Sequence, residues 1–246
     1  MTGIASRAGP RTYVLMHGGF HGGWCWRDVA ERLRAAGHRV TTPTQTGMGE
    51  RRHLLSRDLT LDTFAMDLVN HLVYEEIDEA ILVGHSFGGC ALSGAADRVP
   101  ERIRHLVYLD ALVLQDGESA FGVMPPDIVA ARRKTIAEEG EGLFWPVAPV
   151  TAFGVPLDHP RAQWLAERLS PQPASTYDSP MRLRHPVGNG LPRTYVACTE
   201  PPYAPLAPVR AWVQAQPDWQ YLELATGHDA MVLAPDALAE LLLRIG

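Results

Sequence analysis

No apolar run in this chain approaches the roughly 18 residues that a membrane-spanning helix needs, which excludes a membrane protein on hydropathy. No basic run exceeds Arg132-Arg133-Lys134 either, and 22 Lys+Arg against 28 Asp+Glu leave a formal net charge of −6. A nucleic-acid partner, which needs a clustered positive face, is therefore not expected. Cysteine is scarce: Cys25, Cys90 and Cys198 are odd in number, far apart and without C-x-x-C spacing. They read as buried thiols in a reducing compartment rather than as metal or redox ligands. The stretch from Met1 to Pro10 is small and polar, with no apolar segment of signal-peptide length, so a cytoplasmic protein is expected.

What the chain does have is 246 residues, 46% of them hydrophobic and 20% charged, enough for one α/β core with an insertion. Thr12 to Met16 reads as a strand running into a glycine-rich loop, His17 to Gly23, and then a helix from Trp26 to Ala36 closed by Gly37. A short strand, Arg39 to Thr42, follows. Leu61, Phe64, Ala65, Leu68, Val69 and Leu72 share one helical face, with Thr60 as the N-cap. Ala80 to Val83 reads as a buried strand leading through Gly84-His85-Ser86-Phe87-Gly88 into a small-residue helix, Gly89 to Ala96. A further apolar strand, Ile103 to Leu109, ends at Asp110. Strands this apolar, alternating with helices, predict a mostly parallel sheet covered on both faces.

Between about Leu112 and Pro192 the alternation stops and prolines break the chain. Ile128 to Glu139 and Arg161 to Leu169 still read as helices, so the segment is expected to be a helical cap inserted in a single domain spanning 1–246. The sheet pattern resumes with strand Thr194 to Cys198, helix Ala207 to Gln214, strand Gln220 to Leu224 and a last helix from Pro235 to Arg244.

G-x-S-x-G between a buried strand and a helix is the turn that lifts a serine above a sheet, with Gly84 and Gly88 relieving the clash of so sharp a bend. Serine is a poor nucleophile without a base within hydrogen-bond reach, and that base needs an orienting acid. His228 is the best-placed base of the ten histidines, on the loop after the last strand and downstream of Ser86 with an acid between. Two acids compete. Asp110 closes a very apolar strand, whereas Glu200 opens a Pro-Pro loop expected to be exposed; Asp110 is preferred and Glu200 is the alternative. An acyl-transfer oxyanion needs two N–H donors, assigned to Gly19 in the first glycine-rich loop and to Phe87, the residue after the nucleophile. His17 and His21 read as hydrogen-bonded structural residues.

The residues His17 to Trp26, the Gly84 to Gly89 elbow and Thr226-Gly227-His228-Asp229 together resemble the α/β-hydrolase fold. They are most similar to the branch holding plant methylesterases, plant hydroxynitrile lyases and bacterial carboxylesterases of the pyrethroid-hydrolase kind. The resemblance implies a cofactor-free serine enzyme acting on small to medium, often aromatic, esters. Two departures matter. The lyases carry Thr after the first histidine of the oxyanion loop and Lys after the catalytic histidine, where this chain has Gly18 and Asp229, so cyanohydrin cleavage is not expected. The plant members also hold their triad Asp after the strand matching Thr194 to Cys198, where this chain reads Thr199-Glu200-Pro201-Pro202.

The expected protein is thus a carboxylesterase-type serine hydrolase whose partners are a small-molecule ester and water, with no metal. Phe20, Phe121, Met124, Phe144, Trp145, Phe153 and Trp164 are expected to shape an apolar pocket. The alternatives are a thioester or lactone hydrolase, a tailoring enzyme of secondary metabolism, or a ligand receptor that kept the fold.

Overall fold

The computed structural model describes residues 9–245. Most of the N-terminal stretch read above for a signal peptide lies outside the described residues. The chain runs β1 (Thr12–Met16), α1 (Arg27–Ala35), β2 (Arg39–Thr41), α2 (Leu61–Tyr74), β3 (Ala80–His85), α3 (Gly88–Arg98) and β4 (Ile103–Leu109). After a long excursion it resumes with β7 (Arg193–Cys198), α7 (Ala207–Gln214), β8 (Gln220–Leu224), α8 (Ala230–Leu233) and α9 (Pro235–Arg244). The excursion holds α4 (Pro126–Glu139), β5 (Phe144–Trp145), α5 (Ala162–Ala166), β6 (Gln172–Pro173) and α6 (Ser175–Asp178).

Six strands form one sheet in the order β2-β1-β3-β4-β7-β8, every neighbouring pair parallel. Because successive side chains on a strand point to opposite faces, strands buried on both faces must be apolar at every position. Val14, Met16, Leu82, Leu106 and Tyr108 enter one core with Phe64 and Leu68 of α2 and Cys90 and Leu92 of α3. Their alternates Tyr13, Leu15, Ile81, Val83 and Val107 enter the other, with Val29 and Leu33 of α1 and Leu238 and Leu242 of α9. All three cysteines are buried and free, and among the described residues no helix is long and apolar enough to cross a membrane.

Helix α2 begins where the spacing predicts. Thr60 accepts from the Thr63 N–H while the Thr63 hydroxyl accepts from the Thr60 N–H, a reciprocal cap in which Thr does the work usual for Glu or Gln. Proline at the first turn starts α7 and α9, where its missing N–H is no loss. The expected helix from Trp26 begins one residue later, because Gly23–Trp26 winds as a 3-10 turn.

The segment between β4 and β7 is less helical than expected. Its first predicted helix is α4, but Arg161 to Leu169 contracts to the five residues of α5, after which the chain tightens into a turn with the Arg168 N–H on Leu165 O at 3.0 Å. The strands β5 and β6, paired antiparallel as Phe144 with Pro173 and Trp145 with Gln172, are two residues each and too short for any alternation to be read.

Strand order reverses between β1 and β3, since the chain leaves β1 for β2 on one side and returns to β3 on the other. Loops diverge above such a switch point and leave a crevice at the carboxyl ends of the strands. The loop after β1 carries Gly19 and the turn after β3 carries Ser86.

Candidate active site

Ser86 sits on the turn between β3 and α3 with φ +51°, in the left-handed region that costs a non-glycine residue strain. Its backbone is clamped by the end of β4: the Ser86 N–H donates to Leu109 O at 3.1 Å and Ser86 O accepts from Leu112 N at 2.9 Å. The turn closes only because neighbours lack side chains. A Cβ on Gly88 would lie 2.6 Å from His17 O, and one on Gly18 would lie 2.8 Å from Ser86 Cβ.

Three sequence-predicted side chains converge here. Ser86 Oγ lies 2.9 Å from His228 Nε2, and His228 Nδ1 lies 2.7 Å from Asp110 Oδ2. Asp110, fully buried and also at positive φ (+39°), is held by its N–H on Val196 O at 2.7 Å. Glu200 is exposed and does not reach His228; its carboxyl forms no hydrogen bond among the described residues.

Residues that the sequence did not single out complete the surroundings. Arg210 of α7 donates to Asp110 Oδ1 at 3.2 Å and to Tyr203 O at 3.1 Å. Tyr203 stacks on the His228 ring with centroids 4.1 Å apart and planes 18° apart. His85 supports His228 from the strand side, donating from Nε2 to His228 O at 3.0 Å. Burial and the neighbouring His228 push the His85 pKa well below its ordinary value, so the ring is neutral and its Nδ1 is left bare without a partner. None of these had a local signal: each acts through contacts remote in sequence.

Two histidines of the first loop are buried in opposite states. His17 donates from Nδ1 to Gly18 O at 2.7 Å and accepts at Nε2 from Gln45 N at 3.0 Å, the pattern of a neutral ring. Burial takes its pKa down to about 3. His21 instead faces acceptors with both nitrogens, Gly19 O at 2.6 Å and Asp229 Oδ2 at 3.1 Å, so it carries both protons. Burial opposes that charge, but the Asp229 carboxylate and the hydrogen bonds to Asp229 and Gly19 outweigh it, and the His21 pKa lies above its ordinary value. The same bond fixes the Gly19 carbonyl, while the Phe20 N–H donates to Gln172 Oε1 at 3.1 Å. The peptide after Gly19 is thus held at both ends. The Gly19 and Phe87 N–H groups, by contrast, have no acceptor among the described residues, and both residues border the cavity over Ser86.

That cavity holds about 30 Å³, room for a water molecule or two. Phe20, Leu112, Trp145, Phe153, Tyr177 and Leu206 give it apolar walls. Phe121, Phe144 and Trp164, expected in the pocket, are not on it; Trp164 packs edge-on against Trp24 instead, centroids 5.3 Å apart. Phe121 stacks behind Tyr177, centroids 4.9 Å apart, and borders a separate surface depression. Phe144 precedes Trp145 on a strand, so the two side chains take opposite faces and only one can look inward. Among the described residues no cluster of His, Cys, Asp or Glu could hold a metal, and burial pushes the Cys90 thiol up to about 12, leaving it protonated and inert.

Residues 13–241 match the model of the Alpha/beta hydrolase family. The chain is 39% identical over 242 residues to a carbendazim-hydrolysing esterase of Nocardioides sp. (strain SG-4G), covering 95% of this chain and 99% of that one. It is 26% identical over 249 residues to Methylesterase 7 of Arabidopsis thaliana, covering 96% of each. An extracellular α/β-hydrolase from a Paenibacillus species superposes with a TM-score of 0.82 at 24% identity, over 96% of this chain and 99% of that one; at that identity the likeness concerns the fold. The chain belongs to the α/β-hydrolase family. Within it, the protein is an enzyme of the carboxylesterase type.

Proposed function

We propose that this protein hydrolyses carboxylic esters of small to medium, apolar or aromatic compounds through an acyl-enzyme on Ser86. The observation that carries the reading is the hydrogen-bonded series Ser86–His228–Asp110, at 2.9 and 2.7 Å, at the floor of an apolar cavity. Similarity to proteins named as esterases supports the reaction class. Ser86 Oγ attacks the ester carbonyl as His228 Nε2 takes its proton, and the oxyanion is met by the Gly19 and Phe87 N–H groups. The same proton then leaves with the alcohol. Water, deprotonated by His228, attacks the acyl group and releases the acid and Ser86. Asp110 keeps Nδ1 protonated and stabilises the imidazolium, and Arg210 keeps Asp110 in place.

Residues 112–192 act in this reading as a cap on a single domain, and the cap must yield for an ester to enter a 30 Å³ space. Labelling with an aryl fluorophosphonate tests the nucleophile. One adduct on the peptide holding Ser86, absent from Ser86→Ala, is expected; an active enzyme whose Ser86 stays unlabelled while another residue reacts would overturn the assignment.

A further inference from the structure

The chemistry just described uses no cation in the cavity wall, yet one is there. Arg132 of α4 borders the same cavity as Ser86 and is half-buried. Its guanidinium lies over the Trp145 ring, 4.4 Å from the centroid. Stacking occupies the face of the group and leaves its edge, where the N–H donors point, free to bind. At that edge Nη1 meets Met124 Sδ at 2.7 Å and Nη2 meets Tyr203 Oη at 3.3 Å. Both acceptors are uncharged, and a thioether is a weak one.

The other charges around the cavity are matched. Asp110 faces Arg210 at 3.2 Å, and His21 faces Asp229 at 3.1 Å. On the outer side of the same helix, Arg133 is paired with Asp178. Among the described residues Arg132 has no carboxylate partner, so one positive charge without a counter-ion borders a cavity whose remaining lining is apolar apart from Ser86, His21, His85, His228 and two tyrosines. Holding a half-buried cation without a counter-ion is unfavourable, and a guanidinium edge fits a planar carboxylate with two parallel hydrogen bonds.

We propose that Arg132 recognises an anionic group on the substrate, so that the preferred esters carry a carboxylate at the end of the acyl or alcohol group remote from the scissile bond. The inference rests on the ester-cleaving reading of Ser86 and deepens it. On binding, the substrate carboxylate displaces the Met124 sulfur and the Tyr203 hydroxyl from the guanidinium edge, while Trp145 keeps the group in place.

Two series of synthetic esters test this. On the alcohol side they are 4-acetoxybenzoate, 4-acetoxybenzamide and 4-methylphenyl acetate. On the acyl side they are the phenyl esters of adipic acid (as the half-ester), adipamic acid and hexanoic acid. kcat/KM is measured for the wild type, Arg132→Met and Arg132→Lys, and selectivity within each series is compared between enzymes, so that intrinsic ester reactivity cancels. In at least one series Arg132→Met should lose about tenfold or more of the selectivity for the carboxylate over the methyl member, the size of one charge-assisted hydrogen bond. Arg132→Lys should keep part of it, and the wild-type selectivity should shrink with added NaCl. Unchanged selectivity in both series, or a loss shared equally by the carboxamide, would overturn the proposal. Should Arg132→Met fail to fold, Arg132→Lys and the salt dependence carry the test. Benzoate binding to Ser86→Ala, followed by tryptophan fluorescence, needs no turnover. Tighter binding of benzoate than of benzamide, lost in Ser86→Ala/Arg132→Met, supports the anion site even where the nucleophile assignment fails; equal binding of the two overturns it.

Discussion

Two walls enclose the cavity above Ser86. The lower one is the carboxyl edge of the sheet, where Ser86 and Asp110 sit at positive φ and His228, Asp110 and Asp229 are almost wholly removed from solvent. The upper one is the β4–β7 segment, made of short elements, whose Trp145 and Arg132 are only half-buried. The lower wall holds side chains to fixed geometry by backbone clamps from adjacent strands, and local strain is tolerated because the sheet over-determines it. The upper wall holds its residues by stacking and by neutral contacts that a ligand can replace. In the function proposed above, chemistry falls to the rigid wall and selection to the yielding one.

The largest losses should follow changes in the lower wall and fall on turnover of every ester. Ser86→Ala should lower kcat by about 10⁶ with the fold intact, since triad members act as a unit; a folded variant keeping a tenth of the wild-type rate would break the assignment of chemistry to the lower wall. Next comes the acid. Asp110→Asn should reduce kcat by about 10⁴ by presenting the wrong face to His228 Nδ1, while Glu200→Gln, on an exposed side chain, should stay within about twofold of wild type. Reversal of that ranking in steady-state assays would move the orienting acid away from β4.

Substitution in the upper wall should act on binding. Trp145→Ala is expected to raise KM for aryl esters about tenfold, with a smaller effect on kcat, through loss of an aromatic contact and of the platform under Arg132. An equal fall in kcat and kcat/KM would instead place Trp145 in the chemical step.

The last effect expected leaves turnover aside and is on stability, and it comes from the histidines behind the lower wall. His17 and His85 are depressed in the folded state, His17 to about 3. Between that value and the ordinary one near 6.5 the unfolded chain therefore binds more protons, and stability rises with pH by up to about 1.4 kcal/mol per unit for each such group. The raised pKa of His21 acts oppositely: its contribution is complete below about 6.5 and fades as pH rises through its folded value. Urea unfolding at pH 7, 6 and 5 should show stability falling with acidity. A flat profile would contradict the neutral burial of His17 and His85.

Sequence patterning read the lower wall far better than the upper. Strands β1, β4 and β8 and helices α7 and α9 have the bounds their patterns and prolines predict; burial of β1 and most of β4 leaves an apolar signature, while the edge strand β8 is only partly buried. That Ser86, His228 and a carboxylate meet was legible from the elbow, the chain order and the strand ends. The preference for Asp110 over Glu200 was legible from the apolar strand that Asp110 closes and the Pro-Pro loop that Glu200 opens; the contact with His228 itself also rests on strand order, with β4 central and β7 beside it. The roles of Gln172 against Phe20, 152 positions apart, and of Arg210 against Asp110, 100 apart, arise only on folding. In the upper wall β5 and β6 are held by two residue pairings and by stacked rings, which leave no periodicity.

The span of the contacts made by His228 has a consequence for how the molecule is born. It reaches back 142 positions to Ser86 and 118 to Asp110, and closing loops of that length is entropically unfavourable until the intervening strands have docked. Ser86 and Asp110 leave the ribosome with β3 and β4, long before His228 is made. On this topology, and with the roles proposed above, the Ser86–His228–Asp110 series closes only after β7 and β8 have joined the sheet, so the nascent chain is chemically silent until then.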